Sequence, residues 1–426
     1  MSVRSVMVSN SLGSWAYDSY DSTRGFHIVD GAFDGSGNLF TVGWGQNPAL
    51  LTSELSALLK IDASGTVLAS TALGDADEHI AAVAISGTDV YVGASLAWIS
   101  PSYGTAVVKL DSNLSTIAWQ RGLTNTTGYT EFAHLAVSST AIYAVGSDQT
   151  PFGSNVVVFI CKYNLSGVLQ WQKRFPLLLL GSSAEICVAV EPSSGDLIVG
   201  GAGSSSGYAT MMRVTAAGAV TWAYSLGNDT STYSDVRVSG STITALARGS
   251  VGGTARMLII NMDLSGTITS SFATTAISGY TYRISGASTA PIVSYSDGTG
   301  VIWTQLDGAY SATMTRRVAP TIGSFSSYLP SVKYFGSGTN VYALCSTVGD
   351  GLVIALPVDG TGAGSGLFFT QNSGSVQFTA PTAITTATVT KTNTSTSITP
   401  SNTGYTDSAT AMTLRTNPWT LTRKVF

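Results

Sequence analysis

The feature that most constrains this chain is an internal repeat with a period near 50 residues. Its clearest copies run from an apolar strand through a turn to a tryptophan: Val107-Val108-Lys109-Leu110-Asp111 to Trp119, Ile160-Cys161-Lys162-Tyr163-Asn164 to Trp171, and Met211-Met212-Arg213-Val214-Thr215 to Trp222. Anchored on the turn residue, the series reads Asp62, Asp111, Asn164, Thr215, Asp263, Asp307 and Asp359, with steps of 44 to 53 residues. Other segments of each unit are β-branched and aromatic runs bounded by turn residues, as strands are. Examples are Asp89-Val90-Tyr91-Val92-Gly93, Ala141-Ile142-Tyr143-Ala144-Val145-Gly146, Asp196-Leu197-Ile198-Val199-Gly200 and Asn340-Val341-Tyr342-Ala343-Leu344. Four strands per unit is the make of a propeller blade, at roughly 40–50 residues each.

The turns have their own chemistry. Clusters such as Asp34-Gly35-Ser36-Gly37-Asn38 suit a tight hairpin between first and second strands, and Ser64-Gly65, Ser166-Gly167 and Ser265-Gly266 do the same between third and fourth. Glycine supplies the positive φ these turns need. Acids that recur at one turn position, as Asp62, Asp111, Asp263 and Asp359 do, are expected to bond their own backbone. Trp119, Trp171 and Trp222 repeat with the units and are expected between neighbouring sheets.

Residues 3–20, with Ser14-Trp15-Ala16-Tyr17 placed after Ser9 much as Trp171 follows Asn164, look like third and fourth strands without a first and second. The last unit, from Tyr328 to about Val358, has first, second and third strands. A ring closes if the early strand completes the late blade, which removes an open edge. The expected fold is therefore all-β: a seven-bladed propeller of four-stranded antiparallel blades over residues 1–371. An eight-bladed count follows if Leu367-Phe368-Phe369 is a true fourth strand and the early piece pairs elsewhere.

The Asp-x-x-Gly turn followed by Val-x-Trp, with Tyr-Val-Gly earlier in the unit, resembles the degenerate β-propeller repeats of many bacterial and phage proteins. The resemblance covers roughly residues 3–370 and implies fold far more than function. The later units depart from it: Trp is replaced in the fourth strand, and Asp307 is followed directly by Gly308.

Residues 372–426 differ in kind. Threonine alternates with apolar residues, as in Ile384-Thr385-Thr386-Ala387-Thr388-Val389-Thr390, Met412-Thr413-Leu414 and Trp419-Thr420-Leu421-Thr422. That pattern predicts extended strands with one buried face. Too short for much of a core alone, the segment is expected to lie on the propeller or on another subunit, with Val389, Leu414, Trp419, Leu421 and Phe426 as docking residues.

Charged residues are only 10% of the chain against hydrophobics at 44%, and the formal net charge is −4. Nothing there attracts a phosphate backbone or an acidic lipid, so neither nucleic-acid binding nor membrane insertion is expected. Cys161, Cys187 and Cys345 form no paired framework. Met1 to Trp15 has no apolar run of the ~7–15 residues a signal peptide needs, and none is expected.

Candidate sites are few. His27, His79 and His134 fall at or near first strands, the strands that line a propeller's channel, with His27 and His79 in equivalent positions. No acid or cysteine recurs with them, so no metal is assigned. Paired carboxylates for catalysis are not expected, nor is a cofactor. The sialidase blade motif is unmatched, because Ser296-Asp297-Gly298-Thr299-Gly300-Val301-Ile302-Trp303 has its parts at the wrong spacing. Gly200-Gly201-Ala202-Gly203 leads into another strand, not the helix that gives a phosphate loop meaning. Aromatics outside the repeat register, Trp44, Trp98, Tyr103 and Trp303, are the candidate binding-loop residues, suited to sugar stacking or a protein contact. Lys173-Arg174 and Arg316-Arg317 read as solvated strand ends.

These features lead to a scaffold or binding protein and not an enzyme. The expected role is a structural component of a tailed-phage particle, in tail, fibre or appendage, assembled in the host cytoplasm and carried in the virion. Its expected partners are other virion proteins, further copies of itself, and a host surface glycan or receptor. The alternative is an extracellular bacterial propeller that binds glycan or protein; a glycan-cleaving enzyme is a third class.

Overall fold

The computed structural model describes residues 15–20, 26–46, 54–73, 78–96, 103–125, 129–149, 156–179, 186–201, 209–226, 230–251, 253–274, 282–287, 290–296 and 300–320. Beyond these it describes the strands between residues 331 and 425. Among the described residues every regular element is a strand. β1 is Trp15–Tyr20. Blade 1 follows with β2 Phe26–Phe33, β3 Leu39–Gln46, β4 Glu54–Ile61 and β5 Val67–Leu73. Blade 2 has β6 Glu78–Ser86, β7 Asp89–Leu96, β8 Tyr103–Leu110 and β9 Ile117–Asn125. Blade 3 has β10 Tyr129–Val137, β11 Ala141–Gln149, β12 Val156–Asn164 and β13 Leu169–Leu179. Blade 4 has β14 Cys187–Val190, β15 Leu197–Gly201, β16 Thr210–Val214 and β17 Val220–Leu226. Blade 5 has β18 Thr230–Ser239, β19 Thr242–Val251, β20 Thr254–Asp263 and β21 Ile268–Thr274. Blade 6 has β22 Tyr282–Ala287, β23 Ala290–Ser296, β24 Val301–Leu306 and β25 Ala312–Pro320.

The blades repeat because their hairpins repeat. At each turn between third and fourth strands the first residue's carbonyl accepts the N–H three residues on, as Asp62 does from Gly65 and Asp263 from Gly266, both at 2.9–3.0 Å. Its side chain caps the turn as well: Asp263 Oδ1 accepts the Ser265 and Thr267 amides at 2.9 Å each, and Asn164 Oδ1 does the same for Ser166 and Val168. A register shift just before this turn recurs in every blade, at Lys60/Ile61, Lys109/Leu110, Lys162/Tyr163, Arg213/Val214, Asn261/Met262 and Gln305/Leu306. That is the bulge expected where a hairpin loop ends on a residue of positive φ.

The six blades stand in a ring with β2, β6, β10, β14, β18 and β22 innermost, each meeting the next. The core is a series of apolar layers between neighbouring sheets. Phe40, Val42 and Leu58 of blade 1 pack on Ile80, Val90 and Val92 of blade 2, and Tyr143, Val145 and Ile160 of blade 3 on Leu197, Val199 and Met212 of blade 4. Glycine within a second strand makes room for the next blade: a Cβ on Gly93 of β7 would lie 2.1 Å from the Phe132 ring.

The seven-bladed reading of the sequence is corrected here: the ring holds six four-stranded blades, each of consecutive strands, and not seven. What the sequence counts as a further blade is a composite sheet. Its strands are β26 Ser331–Tyr334, β27 Asn340–Thr347 and β28 Asp350–Pro357, with β1 antiparallel on β28. It lies between blade 6, where β22 meets β26, and blade 1, where β2 meets β27. The closing pair expected from the sequence is present, the early strand completing the late unit, while the count of seven is what changes.

The remaining chain takes the first of its two expected places, lying on the propeller as extended strands: β29 Leu367–Gln371, β30 Gly374–Thr379, β31 Thr386–Thr388, β32 Asn393–Ser395, β33 Ser401–Asn402, β34 Thr406–Ser408, β35 Leu414–Arg415 and β36 Thr420–Val425. β30 pairs with β25 of blade 6, and β29 pairs with β30 rather than serving as a fourth strand beside β28. The strands then run back around the ring: β31 on β21, β32 on β17, β33 on β13, β34 on β9, β35 on β5, and β36 on β1. Every sheet thus carries an added antiparallel strand along its outer edge, and the segment forms a belt.

Candidate functional site

One face of the ring carries the turns between first and second and between third and fourth strands. The opposite face carries the ends of the second and fourth strands and the starts of the first and third. On that second face, blades 1 and 2 bring together an aromatic cluster that lies outside the repeat pattern of Trp and turn. His27 is the second residue of β2, Trp44 lies opposite it near the end of β3, and His79 is the second residue of β6. The Trp44 indole stacks on the His79 imidazole, centroids 4.3 Å apart and planes 7° from parallel, and meets His27 edge-on at 5.0 Å. All three side chains are partly buried.

The backbone beneath them is bulged at one recurring place. The inner strand shifts register between Ile28 and Asp30, Ile80 and Ala82, Phe132 and His134, and Tyr233 and Asp235. Groups at or beside these shifts pair across the blade boundary. Ser56 Oγ accepts from the Ile80 amide at 3.0 Å and Ser95 Oγ from Phe132 at 2.8 Å. Asp30 Oδ2 accepts from Val83 at 3.0 Å and Asp235 Oδ2 from Ile284 at 2.8 Å. These carboxylates therefore tie inner strands together. Near Asp235, Arg237 donates to the Gly286 and Ser285 carbonyls of blade 6. Burial draws its pKa down, against Tyr310 and Asp235, which raise it.

The equivalence of His27 and His79 read from the sequence holds, since each sits one residue before a bulge. His134 occupies the slot of Asp30 instead, so the three do not form one ring of ligands. The two equivalent imidazoles meet through the Trp44 ring, and no group of three or more metal-ligating side chains exists among the described residues. What the arrangement offers chemically is a partly open aromatic surface.

Of the other candidate aromatics, Trp303 is corrected: it lies in β24 at 0% exposure and is a core residue, not a loop contact. Tyr103 opens β8, its backbone opposite Asn125, and Trp98 lies outside the described residues. Among the docking residues, Leu414 sits opposite Leu73 and Leu421 opposite Ser19, both on the chain's own ring. Val389, Trp419 and Phe426 lie outside the described residues. The Lys173-Arg174 pair is corrected too. Lys173 Nζ donates to the Gly218 carbonyl of blade 4 at 2.9 Å, and Arg174 forms an ion pair with the fully buried Asp148. The sequence signal for that pair was thin, because Asp148 and Arg174 are separated by a whole strand.

The tryptophans of the repeat do pack between sheets, and each also donates a hydrogen bond. Trp119, Trp171 and Trp222 give their indole N–H to the carbonyls of Leu165, Ala216 and Leu264, the second residue of the next blade's turn, at 3.0–3.1 Å. Lys60, Lys162 and Arg213 reach the same carbonyl position, at Ser112, Ala216 and Leu264.

No protein-family model and no curated protein matches this chain. Among solved structures it is similar to the Dos1 propeller, at 11% identity over 77% of each chain with a TM-score of 0.44. It is also similar to a DUF4623 family protein from Bacteroides eggerthii, at 10% identity over 78% of this chain and 86% of the other, with a TM-score of 0.36.

Proposed function

We propose that this chain is a non-enzymatic structural ring of a tailed-phage particle, a tail, fibre or appendage component that presents its faces to neighbouring virion proteins, to further copies of itself or to a host surface. The observation that supports the scaffold part of this reading is the treatment of the edges. The chain lays its own strands along the outer edge of every sheet, and indole, lysine and arginine donors latch each of blades 1 to 4 to the next. Such a body keeps its shape under load and leaves its two faces for contacts. The phage assignment rests on low charge and on the resemblance of the repeats. Mass spectrometry and electron microscopy of purified particles test it: the chain is expected in virions at fixed stoichiometry, and its presence only in virion-free secretions would sink the assignment.

The second reading, an extracellular bacterial propeller that binds glycan or protein, is favoured by the Trp44 stack between His27 and His79. A glycan array compared between the wild type and Trp44→Ala separates the two. Loss of a specific glycan signal in the variant supports the second.

A further inference from the structure

We propose that the belt is the clasp of the ring and that β36 is its lock: β1 leaves β28, the step that opens the ring, only after β36 has left β1. The reason lies in how β1 is held. In the six blades the fourth strand is tethered to the third by a short turn, so it cannot drift far when its pairing breaks. β1 has no such tether within its sheet. It precedes blade 1 in the chain and joins the composite sheet through pairing alone, with partners that follow all six blades. A strand held only by pairing on one edge exchanges readily, because local opening then breaks few bonds.

The distribution of belt pairing matches that weakness. From β31 to β35 each belt strand pairs over two or three residues, as Leu414 and Arg415 do with Leu73 and Ala72. β36 pairs over its whole length, Thr420 to Val425 against Tyr20 to Trp15. The other edge of the same six residues pairs with Asp350 to Ala355. The longest pairing in the belt therefore falls on the one closing strand that no hairpin secures, and it turns an edge strand into an interior one. Short links along the way are individually weak and gain strength from being joined in series.

The test uses the full chain. Proline removes a ladder N–H, and adjacent residues of a strand point their N–H groups to opposite edges. One of Leu421→Pro and Thr422→Pro must therefore delete a bond to β1. Amide exchange read by mass spectrometry is expected to speed up about tenfold or more in residues 15–20 and 350–355 of that variant, while residues 197–214 of blade 4 keep wild-type protection. Thr394→Pro in β32 is expected to leave residues 15–20 unchanged. Release of residues 420–425 with no change at 15–20 would overturn the proposal. Should the proline variants fail to fold, Ala16→Cys with Lys424→Cys joins two residues that face each other across β1 and β36. Oxidation of that pair is expected to slow unfolding in denaturant by about tenfold or more relative to the reduced form. Equal rates, or a pair that does not oxidise, would overturn it.

Discussion

The joints that follow blades 2, 3 and 4 and the joints that follow blades 1 and 5 solve one packing problem in opposite ways. In the first group the fourth strand carries Trp119, Trp171 or Trp222, paired across the hairpin with Lys109, Lys162 or Arg213. The turn of the next blade then ends on Gly167, Gly218 or Gly266, all at positive φ. A Cβ on Gly167 would lie 2.6 Å from the Trp119 indole. In the second group the same cross-strand slot holds Ala69 opposite Lys60, or Ser270 opposite Asn261. There the next turn ends on Leu114 or Tyr310, the two described non-glycine residues at positive φ. Leu114 is 3% exposed in the layer that includes Ala69, and Tyr310 is 9% exposed, stacked on Phe272 at 5.0 Å with its hydroxyl donating to Asn261 Oδ1 at 2.9 Å. A left-handed backbone costs an L-residue roughly 1–2 kcal/mol, and the buried side chain offsets it. The lesson is that the space between blades is conserved by volume: it is filled from the strand behind or from the turn ahead.

The largest expected break in this scheme is Trp119→Ala, which empties the slot while the next turn stays glycine. A loss of about 3–5 kcal/mol is expected by denaturant unfolding, with the Leu165 carbonyl left without its indole donor. Tyr310→Gly comes next. It loses a buried ring and hydroxyl but relieves the backbone, so a loss of about 2–3 kcal/mol is expected, smaller than for Trp119→Ala. If Tyr310→Gly proves neutral, the turn-filled joint does not depend on its filling and the comparison fails.

The sharpest test converts one joint into the other. Ala69→Trp alone is expected to overpack against Leu114 and cost about 1–3 kcal/mol, and Leu114→Gly alone to lose about 2 kcal/mol of packing. The double variant should recover about 1–2 kcal/mol relative to the sum, measured by a double-mutant cycle. Strict additivity would mean the two positions do not share a volume.

The smallest effect concerns what the two kinds of joint have in common. Asp111, in a Leu-ended turn, and Asp263, in a Gly-ended one, both have pKa values below the ordinary aspartate range. For Asp111 burial works upward and is outweighed by hydrogen bonds from Thr116 and Ser115; for Asp263 the Ser265 hydroxyl leads, followed by the Thr267 amide. With folded values below the unfolded 3.8, both contribute stability that is present above that pH and lost as pH falls through the folded value. Asp111→Asn and Asp263→Asn should each shrink the acid dependence of unfolding slightly and by similar amounts, since Asn164 already caps the same turn.

Much of the blade was legible in the sequence because its signals are local. The capped Asp turn, the glycine at positive φ and the tryptophan between sheets each rest on residues a few positions apart. The pairing of the early Trp15–Tyr20 strand with the late unit was legible, but the blade count was not, because the period counts that composite sheet together with the six contiguous blades. The belt was half legible. Alternation of Thr with apolar residues pointed to extended strands, but strands such as Ser401–Asn402 and Leu414–Arg415 are too short to encode which edge they meet. At the candidate site, the equivalence of His27 and His79 could be counted, whereas their meeting through Trp44 depends on the cross-strand register of β2 and β3. Leu114 and Tyr310 were hidden for another reason: each breaks the glycine rule of its turn, and only the small residue in the preceding blade explains it.

The belt also has a meaning in time. Its strands follow all six blades in the chain, so on the ribosome they are made after every sheet they are to meet. Only a few residues of sequence separate one belt strand from the next, and successive belt strands from β31 to β36 pair with successive sheets around the ring. A ring that lacked one sheet, or held one out of register, would leave a link without an edge and every later strand displaced. β36 would then miss β1. Of the belt strands β36 is the furthest along the chain, so it meets β1 only after the strands of all seven sheets have been made.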